Sequence, residues 1–167
     1  NAQPLAVQYA GGAMALAHNG NLVNGDALRA ELEAQGSIFQ STSDTEVIVH
    51  LMARARTASR PGTTDHLVGA IREALARVVG AYSLLFLSEK AMVGVRDPMG
   101  FRPLVLGRHK GSWVLASEST ALDLIEVAYE PLPPVFDAVA ALDEDAPILH
   151  SGPPRTGPTY ADIIIHA

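Results

Sequence analysis

Three polar clusters in this chain carry residue types able to do chemistry. The first is His18-Asn19-Gly20-Asn21, which follows the apolar run Ala15-Leu16-Ala17. An Asn amide and a Gly N–H brought together at a sheet edge are two donors that can hold a developing oxyanion. Asn and Gly also reach φ > 0 readily, so the same residues predict a sharp corner where a strand ends. Alone, the dipeptide is an ordinary Asn-Gly turn. The second cluster is Gln40-Ser41-Thr42-Ser43-Asp44-Thr45-Glu46. Ser43 with Glu46 three positions later fits a capping box, and Asp44 then complements the dipole at the start of the helix. The third is Arg96-Asp97-Pro98-Met99-Gly100-Phe101-Arg102-Pro103-Leu104. Arg96 and Asp97 read there as structural, either a corner ion pair or turn support.

The elements that must position these clusters follow from apolar spacing. Residues 6–9 and 13–17 read as short strands around Gly11-Gly12. Asn24 is placed to N-cap a helix over 26–34, with Gly36 at the position after its C-cap. The second cluster leads into a buried helix over 47–53. Thr64 or Asp65 then caps a helix running through Val79, whose Leu67, Ile71, Leu75 and Val78 form an amphipathic stripe. Residues 81–87 are apolar almost throughout, which predicts a strand covered on both faces. Glu89-Lys90 turns it into a second strand at 92–95. Beyond the third cluster, 105–107 and 112–116 continue as a meander, and 117–119 cap a short helix over 120–125. Further strands are predicted at 135–142 and 148–149, with a turn at 143–145 between them and a final edge strand at 160–165. Helices and strands segregate along the chain, which predicts an α+β fold of stacked layers. The strands within 82–116 are expected to form a face-to-face sheet pair with the strand at 13–17.

Composition bounds the function. The chain has 167 residues, 48% hydrophobic and 18% charged, enough for one domain with a substantial core. The formal net charge of −6, with no basic stripe, argues against nucleic acid or an anionic membrane as partner. No apolar run approaches the ~18 residues of a membrane-spanning helix, and no secretory signal begins the chain. It contains no cysteine, which excludes disulfides and cysteine-ligated metals.

Taken together, the three clusters resemble the glutaminase domain of class II glutamine amidotransferases. Supporting stretches are Asn1-Ala2-Gln3-Pro4-Leu5, Gly80-Ala81-Tyr82-Ser83-Leu84 and Ala116-Ser117-Glu118-Ser119-Thr120-Ala121-Leu122-Asp123. The resemblance is close over 1–129 and loose from Glu130 onward. The third cluster also resembles asparagine synthetases. The His-Asn-Gly-Asn-Leu run with Thr-Ser-Asp-Thr-Glu points instead to the purine branch, whose members pass ammonia to phosphoribosyl pyrophosphate to form 5-phosphoribosylamine.

The resemblance implies a four-layer αββα N-terminal-nucleophile hydrolase fold spanning 1–167 and incomplete at its N-terminus. It implies a catalytic N-terminal cysteine whose own α-amino group is the base. It maps the oxyanion donors onto Asn19 and Gly20. It maps substrate binding onto Asp44, opposite the α-amino group of glutamine, with Ser43 and His18 beside it; His18 otherwise braces the corner. Asn1 does not match the family's nucleophile. The segment that precedes it in the family, which carries an Arg for the substrate carboxylate, is expected to be missing, and so is the phosphoribosyltransferase domain. The chain alone is therefore expected to be inactive. The implied partners are glutamine and the phosphoribosyltransferase domain of the same parent chain, in a cytoplasmic homo-oligomer. No cofactor is expected in this chain, and magnesium is expected in the missing domain. Two other readings are an amidotransferase of the asparagine synthetase type and a non-catalytic domain that keeps the fold.

Overall fold

A computed structural model describes residues 2–131, 148–150 and 162–166. Two strands open the chain, β1 (Leu5–Tyr9) and β2 (Gly12–Leu22), followed by helices α1 (Gly25–Ala34), α2 (Thr45–Ala53) and α3 (Thr64–Leu75). Strands β3 (Gly80–Ser88), β4 (Met92–Arg96), β5 (Val105–His109) and β6 (Ser112–Ala116) come next. The short helix α4 (Ser119–Asp123) precedes β7 (Tyr129–Pro131), β8 (Ile148–His150) and β9 (Asp162–His166). The strands form two antiparallel sheets, one of six in the order β1-β2-β3-β4-β9-β8 and one of three in the order β6-β5-β7.

Alternation along the strands decides what each face meets. Met14, Leu16 and Leu22 of β2 and Tyr82, Leu84 and Phe86 of β3 share a core with the apolar stripes of the three long helices. Leu28 and Leu32 supply that stripe on α1; Leu67, Ile71 and Leu75 supply it on α3. Leu85 and Met92, on the opposite face of the larger sheet, pack instead on Leu104, Leu106 and Leu115. Gly94 permits this approach, since a Cβ there would lie 2.8 Å from Leu115 Cδ1. A third apolar group, Val105, Leu122 and Val127, lies between the smaller sheet and α4.

The α+β segregation holds, and the expected sheet pair forms with its dividing line at the third cluster. The other differences have local causes. Residues 18–21 are not a corner, because β2 runs straight through them, paired with 81–84 of β3. Asn24 occupies the N-cap position of α1 without capping it. Its carboxamide instead donates to Arg77 O at 2.8 Å and accepts from Val79 N at 2.9 Å, tying the entrance of α1 to the approach to β3. Gly36 does end α1 with φ +89°, and its neighbour Ser37 N bonds Leu32 O. The Ser43–Glu46 capping box does not form: Asp44 holds the N-cap position, and no side chain caps there. Thr63, not Thr64 or Asp65, caps α3 by accepting from His66 N, and that helix ends at Leu75, short of Val79. Leu87 is 57% exposed, so β3 is covered on both faces only over its first part. The last strand is not an edge; β9 lies between β4 and β8. The strand expected at 135–142 and the turn at 143–145 lie outside the described residues.

Candidate active site

The larger sheet leaves one stretch of β2 edge for a ligand, and the backbone bonds locate it. His18 pairs with the side chain of Gln3, its N–H donating to Oε1 and its carbonyl accepting from Nε2, both at 2.7 Å. Four residues on, the Leu22 N–H donates to Asp44 Oδ2 at 2.9 Å. In an antiparallel ladder every second residue turns its N–H to the same edge. Gly20 stands midway, so its N–H faces that edge between Gln3 and Asp44. Across the ladder, Tyr82 is the partner of Gly20, and its N–H and carbonyl are turned away to Asp97. Only glycine fits at position 20: φ is +151°, and a Cβ would lie 2.1 Å from the Ala81 carbonyl oxygen.

The side chains flanking Gly20 point to opposite faces. On the helix face, His18 is buried and its Nδ1 lies 3.1 Å from Thr45 Oγ1 and 3.4 Å from Asp44 Oδ1. Burial pushes the His18 pKa below its ordinary value; the Asp44 carboxylate opposes this and Arg102 reinforces it. Burial thus favours the neutral ring, and its Nδ1 is the nitrogen that faces the carboxylate. Its Nε2 is buried and has no hydrogen-bond partner among the described residues. Asp44, whose side chain is 28% exposed, thus has one oxygen bound to the β2 backbone, the other beside His18, and a face open to solvent. On the other face, Asn19 is half-buried and its Nδ2 donates to Ser117 Oγ at 3.1 Å.

Four of the five site residues inferred from sequence, His18, Asn19, Gly20 and Asp44, thus meet at one length of sheet edge. His18 lies beneath it and braces Asp44. Ser43 is next to Asp44, but its backbone serves the local turn, with N–H to Ser41 Oγ and carbonyl to Glu46 N. Gln3, Thr45 and Ser117 were missed. Nothing in the spacing of isolated polar residues signals a contact across 15 or 98 positions.

Two buried carboxylates shape the loops around the site. Glu46 accepts from Gln40 N and Ser41 N at 2.8 Å and from Ser41 Oγ at 2.7 Å. Burial alone would raise its pKa, but these donors, with His50 nearby, outweigh it and hold Glu46 below the ordinary range. Asp97 accepts from the N–H groups of Met99, Phe101, Arg102 and Tyr82. Arg96 serves the carbonyls of the same loop, bonding Gly100 O at 2.7 Å and Arg102 O at 2.8 Å. This is the turn support expected of the pair. Among the described residues no group of three His, Asp or Glu side chains is placed to hold a metal ion, and no helix is long and apolar enough to cross a membrane.

The Gly20 N–H at this edge, the carboxamide of the adjacent Asn19 and the Asp44 carboxylate are groups of the types that can hold an oxyanion and an ammonium. Residues 1–124 match the family described as glutamine amidotransferase domain. Amidophosphoribosyltransferase 2, chloroplastic, of Arabidopsis thaliana is 50% identical over 131 residues, 78% of this chain and 22% of that protein. The amidophosphoribosyltransferase of Methanocaldococcus jannaschii is 42% identical over 129 residues, 77% of this chain and 26% of that protein. The solved glutamine phosphoribosylpyrophosphate amidotransferase of B. subtilis, complexed with ADP and GMP, superposes with a TM-score of 0.71 at 42% identity. The match covers 78% of this chain and 27% of that one. The chain thus spans about a quarter of the length of these relatives. With residues 1–124 matched, the chain belongs to the glutamine amidotransferase domain family.

Proposed function

We propose that this chain is the glutaminase part of an amidophosphoribosyltransferase, releasing ammonia from glutamine for transfer to phosphoribosyl pyrophosphate. The observation that carries the reading is the β2 edge, where the Gly20 N–H is left between Gln3 and Asp44, with Asn19 the residue next to it in the strand. The stacked apolar groups, helices on the larger sheet and the smaller sheet between it and α4, support the four-layer αββα arrangement of N-terminal-nucleophile hydrolases.

In this reading a nucleophile adds to the side-chain amide carbon of glutamine, and the carbonyl oxygen becomes an oxyanion. Asn19 Nδ2–H and Gly20 N–H hold that oxygen, each already fixed in place before charge develops. The open face of Asp44 takes the substrate's α-ammonium, and the neutral His18 keeps the carboxylate from turning away. Ser43 flanks the same group. Collapse of the adduct expels ammonia, and water releases glutamate from the acyl-enzyme. The chain contains no cysteine, so in this reading a cysteine nucleophile is supplied from outside these 167 residues.

Steady-state kinetics of the full-length enzyme test this. Asn19→Ala removes a donor used in the transition state, so kcat with glutamine should fall roughly 10²–10³-fold with a smaller change in KM. The reaction with free ammonia bypasses the site and should be spared. A glutamine kcat equal to the parent's would overturn the oxyanion assignment.

A further inference from the structure

Ser117 belongs to none of the three clusters, yet it reaches the proposed oxyanion site from the other sheet. It follows β6 directly, 98 positions from Asn19 in sequence, and its Oγ accepts from Asn19 Nδ2 at 3.1 Å. Asn19 projects from β2 toward the smaller sheet: its ladder partner Ser83 bonds Pro103 O on that side, and Leu85 beyond it packs on Leu104 and Leu115. A carboxamide on a strand turns about two side-chain torsions, and its terminal one has two broad wells. Either end of the amide can therefore face the sheet edge. A hydroxyl accepts as well as donates, but here it takes one of the two Nδ2 hydrogens. With Nδ2 set against Ser117 Oγ, the second Nδ2 hydrogen is left for a ligand.

We propose that Ser117 is a positioning residue for the oxyanion donor: its hydroxyl holds the Asn19 carboxamide with an N–H, not the carbonyl, toward the reacting amide. The inference rests on the role proposed for Asn19. The contact also ties the catalytic edge of the larger sheet to the smaller one, so the position of β6 bears on the donor's aim. Donors misplaced by about 1 Å can cost on the order of 10²-fold in rate, and partial loss of aim costs less.

The test is glutamine-dependent kinetics of the full-length enzyme with Ser117 and Asn19 varied singly and together. Ser117→Ala should lower kcat about tenfold while KM stays within about twofold, because the donor acts on the transition state. Ser117→Thr keeps the hydroxyl and Ser117→Val replaces it with a methyl of the same shape; Thr should recover most of the loss and Val should not. In the Asn19→Ala background Ser117→Ala should change kcat less than about twofold, since its effect passes through Asn19 alone. Equal rates for Thr and Val, or a further tenfold loss in the Asn19→Ala background, would overturn the inference. A parental kcat in Asn19→Ala itself would remove the oxyanion reading and this inference with it. Loss in Asn19→Ala with none in Ser117→Ala would remove this inference alone.

Discussion

At Asp44 two roles compete, and one substitution separates them. A carboxylate at a helix start can be a dipole partner worth about 0.3–1 kcal/mol of stability. Asp44 holds the N-cap position of α2, yet it makes no cap bond; its oxygens go to the Leu22 N–H and His18. Asn at this position would keep an acceptor for the Leu22 N–H and lose the charge. If the open face of Asp44 receives an ammonium, Asp44→Asn in the full-length enzyme should weaken apparent glutamine affinity by about 2–5 kcal/mol, seen chiefly in KM. An unchanged KM would return Asp44 to the dipole role. At this scale the sequence was legible where residue type dictates chemistry. Asn19, Gly20 and Asp44 stood out by type, and the family resemblance gave them the roles proposed above. The partners that aim them did not stand out. Gln3 mimics a strand with its side-chain amide, and Ser117 arrives from another sheet, so neither contact leaves a trace in local spacing.

Among the elements, β2 departs most from its reading. Asn and Gly punctuate a chain locally, but at 18–22 the ladder with β3 wins, since a continuous strand satisfies backbone groups that a corner would bury unpaired. The edge position expected for the Gly20 N–H thus survives although the turn expected to create it does not, while the Asn19 carboxamide turns to the smaller sheet. The loop from α1 to α2 departs in a similar way. Glu46 reaches back as the glutamate of a capping box would, but binds Gln40 and Ser41 rather than the N-cap. This gives the loop a pH dependence of definite sign. The folded pKa of Glu46 is depressed below that of the unfolded chain. Its contribution is therefore complete above the unfolded value of about 4.3 and is lost as pH falls through the folded value. His18, also depressed, acts in the same sense below about 6.5, where the unfolded chain takes up the proton first. Urea midpoints should fall from pH 7 to pH 3. Glu46→Gln should start lower at pH 7 and fall less steeply below about pH 4.5. Parallel curves for the two proteins would show that Glu46 is not an acid-sensitive anchor.

For the whole molecule, segregation of helices and strands made the class legible, whereas the order of strands was not. Which strand closes a sheet depends on pairings between distant segments, and so β9 lies inside the larger sheet where an edge was expected. The same scale governs activity. In the proposed reading the described residues supply two parts of a glutaminase, oxyanion donors and a carboxylate, on a framework closed by three apolar groups. They do not supply the third. With no cysteine among 167 residues, nothing here can form the thioester that splits amide hydrolysis into two easier steps. Preorganised donors stabilise an oxyanion only after a nucleophile has added. A polypeptide of these 167 residues, incubated with glutamine and assayed for ammonia, should therefore give no more than the background rate. The same residues within a full-length enzyme bearing an N-terminal cysteine should release ammonia, and Asn19→Ala should abolish most of that release. Ammonia above background from the 167 residues alone, surviving repurification and lost in Asn19→Ala, would mean that a hydroxyl of this chain serves as nucleophile and that the assignment of chemistry to an external cysteine is wrong.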